Sequence, residues 1–363
     1  MKVLILTGKF GMGHWSAAHS LKDDLTREIP EAEAEVVDLF QWMAPGCAEA
    51  LYKAFSLLVT HGSGLYNLYY RATGHSRPGG SPLVLYPLLD KMEELIRAYQ
   101  PDGVISTHPL CAQLAALCRH SRGLSMPLVT CITDMSIHPE WICPGTDCYL
   151  AGSEEVRRGL IRQGAAPERV LVTGIPVRPE FKAPVSGRPA GARELLLMGG
   201  GLGLLPKEAD FYEGLNKLEG VHTTVITGNN RKLYEQLAGC WPNITVLGYT
   251  DQVQRYMSRA RLMVSKPGGI TLSEAIYTGL PLLMPKPFLQ QERNNAAFAV
   301  RHGVGRVAPK DWTGCLKAIR SLIYDDETLD AMARAMLQLR EELEEGAAAR
   351  MLARLASGTG RCA

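Results

Sequence analysis

A histidine follows a glycine-rich turn near the start of the chain, directly after the first predicted strand. Gly11 and Gly13 precede His14, which opens the next predicted helix. Glycines at such a turn let backbone amides face a bound group at a helix N-terminus. The imidazole is a candidate general base, or else it caps the helix or is merely exposed. The spacing differs from G-x-G-x-x-G and no acidic residue completes a dinucleotide fingerprint, so an NAD site is disfavoured.

A second pair of titratable side chains follows the fourth predicted strand. Asp134 and His138 stand in the run Thr133-Asp-Met-Ser-Ile-His138. Because open α/β sheets bind ligands at the carboxyl ends of their strands, both side chains are positioned to meet a substrate. The alternative is an aspartate that hydrogen-bonds the backbone of its own loop. The residue types leave both alternatives open.

Two glycine-rich turns in the second half have the composition of anion-binding turns. Four glycines fall within five positions after one predicted strand: Gly199, Gly200, Gly201 and Gly203. We interpret them as allowing close backbone approach to an anion, since little other structural use is evident. A later strand breaks at Gly268-Gly269, with Thr271 as the predicted N-cap and Glu274 as the third helical residue. These residues form a capping box, or the turn holds a diphosphate while Glu274 binds ribose hydroxyls, and the two roles are compatible.

Amide and carboxylate side chains are concentrated after a further predicted strand, at Gln290, Gln291, Glu292, Asn294 and Asn295. Each hydroxyl of a sugar needs a hydrogen-bond donor or acceptor, and such a cluster supplies several. The alternative is a polar loop with helix-capping amides. The pattern favours the ligand site.

Short β-rich runs alternate with helical stretches, which predicts parallel sheets flanked by helices. The strands predicted in the first half are Lys2–Thr7, Glu33–Val37, Asp102–Ser106, Pro127–Ile132, Asp147–Leu150 and Arg169–Thr173. The helices predicted there are His14–Glu28, Tyr86–Gln100, Pro109–His120 and Glu154–Gln163. The strands predicted in the second half are Glu194–Met198, Thr223–Thr227, Thr245–Leu247, Leu262–Ser265 and Leu280–Met284. Helices Glu327–Glu345 and Ala347–Leu355 are predicted to end the chain.

The length of 363 residues predicts two domains. We place the first at residues 1–175 and the second at 192–345, joined by a linker at 176–191 that is rich in proline and glycine. The last segment, 346–363, could cross back onto the first domain. Two such halves place a cleft at the carboxyl ends of both sheets, where chemistry is expected.

The composition excludes several classes of protein. The net charge of +2, from 39 basic and 37 acidic residues, gives no electrostatic case for nucleic acid. Nine scattered cysteines without a C-x-x-C pair indicate reduced thiols in a cytosolic protein. Cys143 and Cys148 with His138 fit no standard zinc spacing. We see no signal peptide and no apolar run of about 18 residues, so a membrane role would be peripheral.

Residues Cys47–Leu89 break the alternation with a dense set of apolar and aromatic side chains, among them Tyr66, Tyr69 and Tyr70. The segment is either a helical pair packed on the sheet or an interfacial element that dips tyrosine and leucine side chains into lipid. The stretch from Arg71 to Pro82 is predicted to be a mobile loop.

Taken together, these motifs resemble a group of GT-B-fold glycosyltransferases. The group comprises monogalactosyldiacylglycerol synthases and processive diacylglycerol glucosyltransferases, and it is related to MurG of peptidoglycan synthesis. The resemblance covers nearly the whole chain and rests on the shared order of the motifs. They are Gly11-Met-Gly-His14-Trp-Ser-Ala-Ala18, Thr133-Asp134 with His138 and Trp141, Thr173-Gly-Ile-Pro-Val-Arg-Pro-Glu-Phe181, Gly199-Gly-Gly-Leu-Gly203, Gly248-Tyr-Thr250, Lys266-Pro-Gly-Gly-Ile-Thr-Leu-Ser-Glu-Ala275 and Gln290-Gln-Glu-Arg-Asn-Asn295.

The resemblance implies an inverting, metal-independent enzyme with no cofactor, whose first domain binds the acceptor and whose second domain binds a UDP-sugar. It implies that His14 is the general base or orients the acceptor, with Asp134 and His138 beside it. The implied diphosphate contacts are Gly200, Gly201, Gly203, Gly268, Gly269, Ile270 and Thr271. The implied uridine contacts are Gly248, Tyr249 and Glu274, and the implied hexose contacts are Gln290, Gln291, Glu292 and Asn295. The implied acceptor and lipid contacts are Gly11, Gly13, Tyr66, Tyr69, Tyr70 and Trp141.

The implied reaction moves a hexose from UDP-glucose or UDP-galactose to the hydroxyl of a lipid such as diacylglycerol and forms a β-glycolipid. The implied location is the cytoplasm, on the anionic inner face of the cell membrane. Alternatives are a polyprenyl-linked or small-molecule acceptor, a UDP-sugar epimerase and a non-catalytic UDP-sugar sensor. This chain has Phe288-Leu-Gln-Gln-Glu292 where the group commonly has Pro-Gly-Gln-Glu, which leaves the match between Gln290 and Gln291 open. The choice of hexose and the oligomeric state are open as well.

Overall fold

The computed structural model describes residues 1–74, 83–183 and 193–356, and these form two α/β units. The first unit contains Met1–Pro179, Leu289–Gln291 and the chain from Glu342 onward. The second contains Glu180–Phe288 and Glu292–Glu341. Residues 184–191 of the predicted linker and 75–82 of the predicted loop lie outside the described residues, as do 357–363 of the predicted last segment.

The first unit is built on a six-stranded parallel sheet with the order β2-β1-β3-β4-β5-β6. Its strands are β1 Lys2–Thr7, β2 Glu33–Asp38, β3 Gly103–Ser106, β4 Leu128–Cys131, β5 Cys148–Ala151 and β6 Val170–Val172. All residues of β3, β4 and β5 are buried, because helices cover both faces of the sheet. The two faces have separate apolar clusters, one containing Leu4 and the other Ile5.

Eight helices belong to the described part of the first unit. They are α1 Met12–Glu28, α2 Leu39–Met43, α3 Ala48–His61, α4 Ser63–Thr73, α5 Leu89–Tyr99, α6 Pro109–Arg122, α7 Glu154–Arg162 and α15 Ala347–Ala356. Helix α1 begins two residues before the predicted start, because Gly11 takes a left-handed φ of 76° and reverses the chain there. Its third residue is His14.

The second unit has its own six-stranded parallel sheet, with the order β12-β11-β10-β7-β8-β9. Its strands are β7 Arg193–Met198, β8 Val221–Ile226, β9 Ile244–Leu247, β10 Leu262–Ser265, β11 Leu282–Met284 and β12 Gly305–Val307. The prediction of two parallel α/β halves is confirmed. The sequence did not indicate β12, because this edge strand has three residues and two of them are exposed.

The helices described in the second unit alternate with these strands. They are α8 Ala209–Asn216, α9 Arg231–Leu237, α10 Val253–Arg259, α11 Gly269–Thr278, α12 Gln290–Arg301, α13 Trp312–Ile323 and α14 Asp326–Glu341. The first two residues of α12 are grouped with the first unit. Helix α14 ends four residues before its predicted end at Glu345.

Helix α15 packs on the first unit although it is the last element of the chain. Ala349 and Leu352 are buried in the cluster that contains Val3, Ile5 and Leu21. A Cβ atom added at Gly103 would lie 3.2 Å from Leu352 Cδ2, so the helix packs directly against β3. The C-terminal segment therefore completes the core of the N-terminal sheet.

Helices α3 and α4 fill the segment that interrupts the alternation. Several large apolar side chains on them are exposed, including Leu57 (61%), Leu65 (66%) and Leu68 (66%). Tyr52 on α3 donates a hydrogen bond to Asp38 at the end of β2, which holds this pair of helices to the sheet. The predicted start of the loop at Arg71 was wrong, because Arg71 still lies in α4. Within the described residues, no helix has both the length and the apolar character needed to cross a membrane.

Candidate active site

His14 is held in one orientation by two groups from neighbouring strand ends. Its Nδ1 atom lies 2.8 Å from the carbonyl oxygen of Thr107 and 2.8 Å from Oγ1 of Thr133. Because a carbonyl oxygen can only accept, Nδ1 is the protonated nitrogen of the ring. In the neutral imidazole the lone pair is then on Nε2, which is the nitrogen that can take a proton from a substrate.

Thr107 contributes its side chain to the same network. Its Oγ1 atom lies 3.0 Å from the carbonyl oxygen of His14 and 2.8 Å from Oγ1 of Thr7. Thr7 ends β1, Thr107 follows β3 and Thr133 follows β4. Three parallel strands thus end at the histidine. Nothing in the sequence distinguishes Thr7 and Thr107 from other threonines at strand ends. Thr133 precedes Asp134 in one of the motifs, but its contact with His14 could not be predicted from that position.

Burial controls the protonation of His14. It lowers the pKa of this imidazole to about 4, while the hydrogen bond to the Thr107 carbonyl raises the pKa by less. The ring of His108 stands edge-on to that of His14, with centroids 4.7 Å apart. Burial also lowers the pKa of His108 well below its usual value. Both imidazoles are therefore neutral near pH 7.

His138 has a different environment from His14. Its Nε2 atom lies 3.0 Å from the carbonyl oxygen of Tyr70 in α4, and its Nδ1 atom accepts from the amide of Glu140 at 3.4 Å. The ring packs on that of Tyr70 with centroids 4.2 Å apart. Both ring nitrogens thus contact backbone groups, and the residue joins α4 to the turn Pro139–Trp141. This geometry favours a positioning role for His138 over proton transfer.

The remaining predicted acceptor residues lie around these histidines. Trp141 is buried, and its ring lies 6.2 Å from that of His14. Burial raises the pKa of Tyr70, and the half-buried carboxylate of Asp134 raises it further, so these two side chains are close. Tyr69 donates to Glu140 Oε1 at 2.7 Å. Burial and this hydrogen bond raise the pKa of the Tyr69 hydroxyl to about 12.

The glycine-rich turn after β7 is closed by its own backbone. The amide of Leu204 donates to Gly199 O at 3.0 Å, and a Cβ atom at Gly199 would lie 2.5 Å from the carbonyl carbon of Gly203. A Cβ atom at Gly203 would lie 2.1 Å from Thr227 O. The interpretation that these glycines have little structural use was therefore wrong for Gly199 and Gly203. Gly200 and Gly201 lie between them at the tip of the turn.

A second turn, after β8, supports the first and was not indicated by the sequence. Gly228 has a φ of 56°, and the amide of Asn229 donates to Gly201 O at 3.1 Å. The side-chain amide of Asn230 donates to Gly203 O at 3.1 Å, and its oxygen accepts from Leu233 N to cap α9. A Gly-Asn-Asn sequence after a strand is also common in ordinary turns, so it gave no specific signal.

Helix α11 begins earlier than predicted. Gly268 is its N-cap and, as a glycine, has no side chain to cap the helix. Gly269 is the first helical residue. Thr271 is therefore the third helical residue, and its prediction as the N-cap was wrong, together with the capping box. The first amides of any helix have no partner within the helix, so Gly269, Ile270 and Thr271 present donors to a bound group. Glu274 lies one turn further on and is half-buried.

The polar cluster at residues 290–295 forms the first turns of α12. Gln290 and Gln291 are grouped with the first unit, where Tyr66 donates to Gln291 Oε1 at 2.6 Å and Arg71 donates to Gln290 Oε1 at 3.1 Å. Asn295 is only 1% exposed.

Asn295 and Glu292 contact their own unit. The Asn295 side chain donates to Pro267 O at 3.1 Å, so it supports the turn that begins α11. Glu292 is also buried and pairs with Lys266 at 3.3 Å. The uridine candidates at the end of β9 are more open, and Tyr249 is 70% exposed.

Two family models match the chain. Residues 14–177 match the family model described as monogalactosyldiacylglycerol (MGDG) synthase, and residues 207–348 match the glycosyltransferase family 28 C-terminal domain. The chain is a glycosyltransferase. A processive diacylglycerol beta-glucosyltransferase of Bacillus pumilus is 29% identical to it over 351 residues, which cover 93% of this chain and 91% of the relative. The Bacillus subtilis protein of the same name is 28% identical with the same coverage.

Solved structures show that this glycosyltransferase has the predicted GT-B fold. Acinetobacter baumannii MurG aligns over 98% of this chain and 99% of its own, with a TM-score of 0.65 and 13% identity. A glycotransferase of kitacinnamycin aligns over 98% and 99%, with a TM-score of 0.63 and 14% identity. The UDP co-structure of Staphylococcus aureus MnaA aligns over 99% and 97%, with a TM-score of 0.60 and 13% identity. At these identities the likeness concerns the fold alone.

The close packing of Gly203 predicts that Gly203→Ala destabilises the glycosyltransferase by more than about 3 kcal/mol, because a methyl group would collide with Thr227 O. Gly220→Ala is the matched control, since Gly220 has nearly the same φ (63° against 60°) and nothing within 4 Å of the added Cβ. The free energy of unfolding of this control should fall by only about 1–2 kcal/mol, the cost of a left-handed backbone at a residue that has a side chain. Urea unfolding followed by circular dichroism measures both. Equal losses would contradict the close contact at Gly203.

Proposed function

We propose that this glycosyltransferase moves a hexose from UDP-glucose or UDP-galactose to the free hydroxyl of diacylglycerol, with inversion at the anomeric carbon. The names of the full-length relatives support the acceptor and the donor class. The observation that carries the chemistry is the orientation of His14, whose protonated Nδ1 faces the Thr107 carbonyl and leaves Nε2 as the basic nitrogen. The first unit binds the acceptor in this proposal and the second unit binds the donor.

The reaction is a single displacement. Nε2 of His14 takes the proton of the acceptor hydroxyl while the hydroxyl oxygen bonds to C1 of the hexose. The bond between C1 and the β-phosphate oxygen breaks, and UDP leaves with the bonding electrons. Attack from the face opposite UDP forms a β-linkage. Asp134, near Tyr70, is the second candidate base, or its negative charge stabilises the imidazolium that forms.

The donor is held by backbone amides and a few side chains in this proposal. The amides of Gly200, Gly201, Gly269, Ile270 and Thr271 bind the diphosphate. Gly203 and Gly268 shape the two turns, because their own amides donate to Gly200 O and Lys266 O. Glu274 binds the ribose, Gly248 and Tyr249 border the uracil, and Gln290, Gln291 and Glu292 bind the hexose. Asn295 is near the hexose, and its contact with Pro267 gives it a supporting role as well. Aligned amides and helix N-termini stabilise the charge that develops on UDP, so we propose that no metal ion takes part.

The test combines the purified protein with diacylglycerol vesicles, either UDP-glucose or UDP-galactose, and EDTA, with products resolved by chromatography. We expect a β-hexosyl diacylglycerol with one donor. Incubation with the UDP-sugar alone is the control for an epimerase, which would form a new sugar nucleotide without an acceptor. Vesicles that carry a polyprenyl-linked sugar test the alternative acceptor. The proposal is wrong if UDP-sugar is consumed equally with and without diacylglycerol and no hexosyl lipid forms.

His14→Ala should lower turnover by about a hundredfold to ten-thousandfold, the range expected for loss of a general base. Its affinity for UDP should stay unchanged, because His14 belongs to the first unit. Single-turnover assays and calorimetric titration with UDP separate the two effects. Loss of both, accompanied by a lower unfolding temperature, would show that His14 is structural.

The lowered pKa of His14 also predicts the pH dependence. The base is active when neutral, so activity is retained above the folded-state pKa of about 4 and is lost as the pH falls through it. We expect kcat/KM to be flat from about pH 8 to pH 5 and to fall about tenfold per pH unit below pH 4. An ordinary histidine would begin to lose activity near pH 6.5. If kcat/KM instead began to fall near pH 6.5, burial would not be what sets the pKa of His14.

We propose that α3 and α4 bind the anionic inner face of the cell membrane and bring the lipid acceptor to the first unit. The support is the exposure of Leu57, Leu65 and Leu68, together with the exposed Lys53 on α3, whose charge suits anionic headgroups. The protein would then be cytoplasmic and peripherally attached.

The triple variant L57Q/L65Q/L68Q should lose at least about tenfold in affinity for vesicles that contain anionic lipid and diacylglycerol, because three apolar side chains no longer enter the interface. Its affinity for UDP should not change. Val300→Gln, at an exposed position of α12, is the matched control and should bind vesicles as the unmodified protein does. Vesicle sedimentation measures both variants. Unchanged sedimentation of the triple variant would place the membrane contact elsewhere.

A further inference from the structure

Lys266 was not among the predicted contacts of the sugar nucleotide. In the second unit the structure places it beside two residues that were, Gly200 and Glu292. It follows β10, which pairs with β7 in the centre of the sheet. The register sets Ser265 opposite Met198, so Lys266 and the glycine-rich turn leave the same edge side by side. A Cβ atom added at Gly200 would lie 3.1 Å from Cε of Lys266, so the lysine packs directly on this turn.

The amine of Lys266 is oriented by a buried carboxylate. Its Nζ atom lies 3.3 Å from Glu292 Oε1. The Glu292 side chain is 4% exposed, whereas that of Lys266 is 42% exposed. A buried carboxylate needs a cation or several donors, so Glu292 holds the ammonium group in place. An ammonium group has three N–H donors, and a single carboxylate contact leaves donors that can reach a second anion.

We propose that Lys266 binds the diphosphate of the sugar nucleotide and neutralises part of the charge on the departing UDP. The inference rests on the proposed function and adds a charged side chain to a site otherwise made of amides. The lysine packs on Gly200, at the tip of the turn whose amides we assign to the same phosphates. Because Glu292 is also a proposed hexose contact, the ion pair links the phosphate end of the donor to its sugar.

The test compares UDP with uridine, which shares the base and ribose but has no phosphate. Calorimetric titration of Lys266→Met should show UDP affinity lowered by about ten- to a hundredfold, the range for a hydrogen-bonded charge pair, with uridine affinity unchanged. The salt dependence of UDP binding should decrease as well. Lys317→Met, an exposed position of α13, is the matched control and should bind both ligands normally.

Two further measurements keep the outcomes distinct. Lys266→Met leaves Glu292 buried without its cation, so K266M/E292L removes the pair together, should restore stability and should still bind UDP weakly. If the unmodified protein binds UDP and both variants bind it as tightly, Lys266 only neutralises Glu292 and the inference is wrong. If the unmodified protein binds neither UDP nor uridine, the proposed function itself fails.

Discussion

Parallel pairing of all strands within each sheet is the constraint on which both sites depend. Neighbouring strands that run in the same direction end at the same edge, so residues far apart in the chain meet there. In the first unit the ends of β1, β3 and β4 bring Thr107 and Thr133 to His14. In the second, the pairing of β10 with β7 sets Lys266 beside Gly200. An antiparallel strand at either place would carry its last residues to the opposite edge.

The groups that orient His14 are a backbone carbonyl and a hydroxyl. A carboxylate partner would stabilise the imidazolium and raise the pKa, whereas the Thr107 carbonyl fixes the tautomer and opposes burial only in part. The result is a weaker base that is fully deprotonated at neutral pH. Such a base suits the proposed displacement when the proton is transferred late, after the bond to UDP has begun to break.

The sequence was sufficient for the fold and for the locations of the strand-end motifs. Strong alternation predicted eleven of the twelve described strands, whereas β12 was too short and too exposed to give a signal. The sequence could not show what each motif residue contacts. Gly203 is needed because Thr227 O lies against it, and that carbonyl belongs to another strand end. Thr271 was misassigned because the helix begins at Gly269, a residue type with a weak preference for helices. His138 and His14 both follow predicted strands, so the sequence does not separate their roles. The two backbone contacts of the His138 ring do so in the structure.

The packing of α15 on the first unit has a consequence for how the chain is made. During synthesis the ribosome releases the N-terminal sheet long before residues 347–356, so the apolar patch that Leu352 covers stays bare while the whole second unit emerges. The second unit, which needs no residue beyond Glu341, can mature first. A premature stop near the C-terminus would therefore damage the half of the molecule that was translated first.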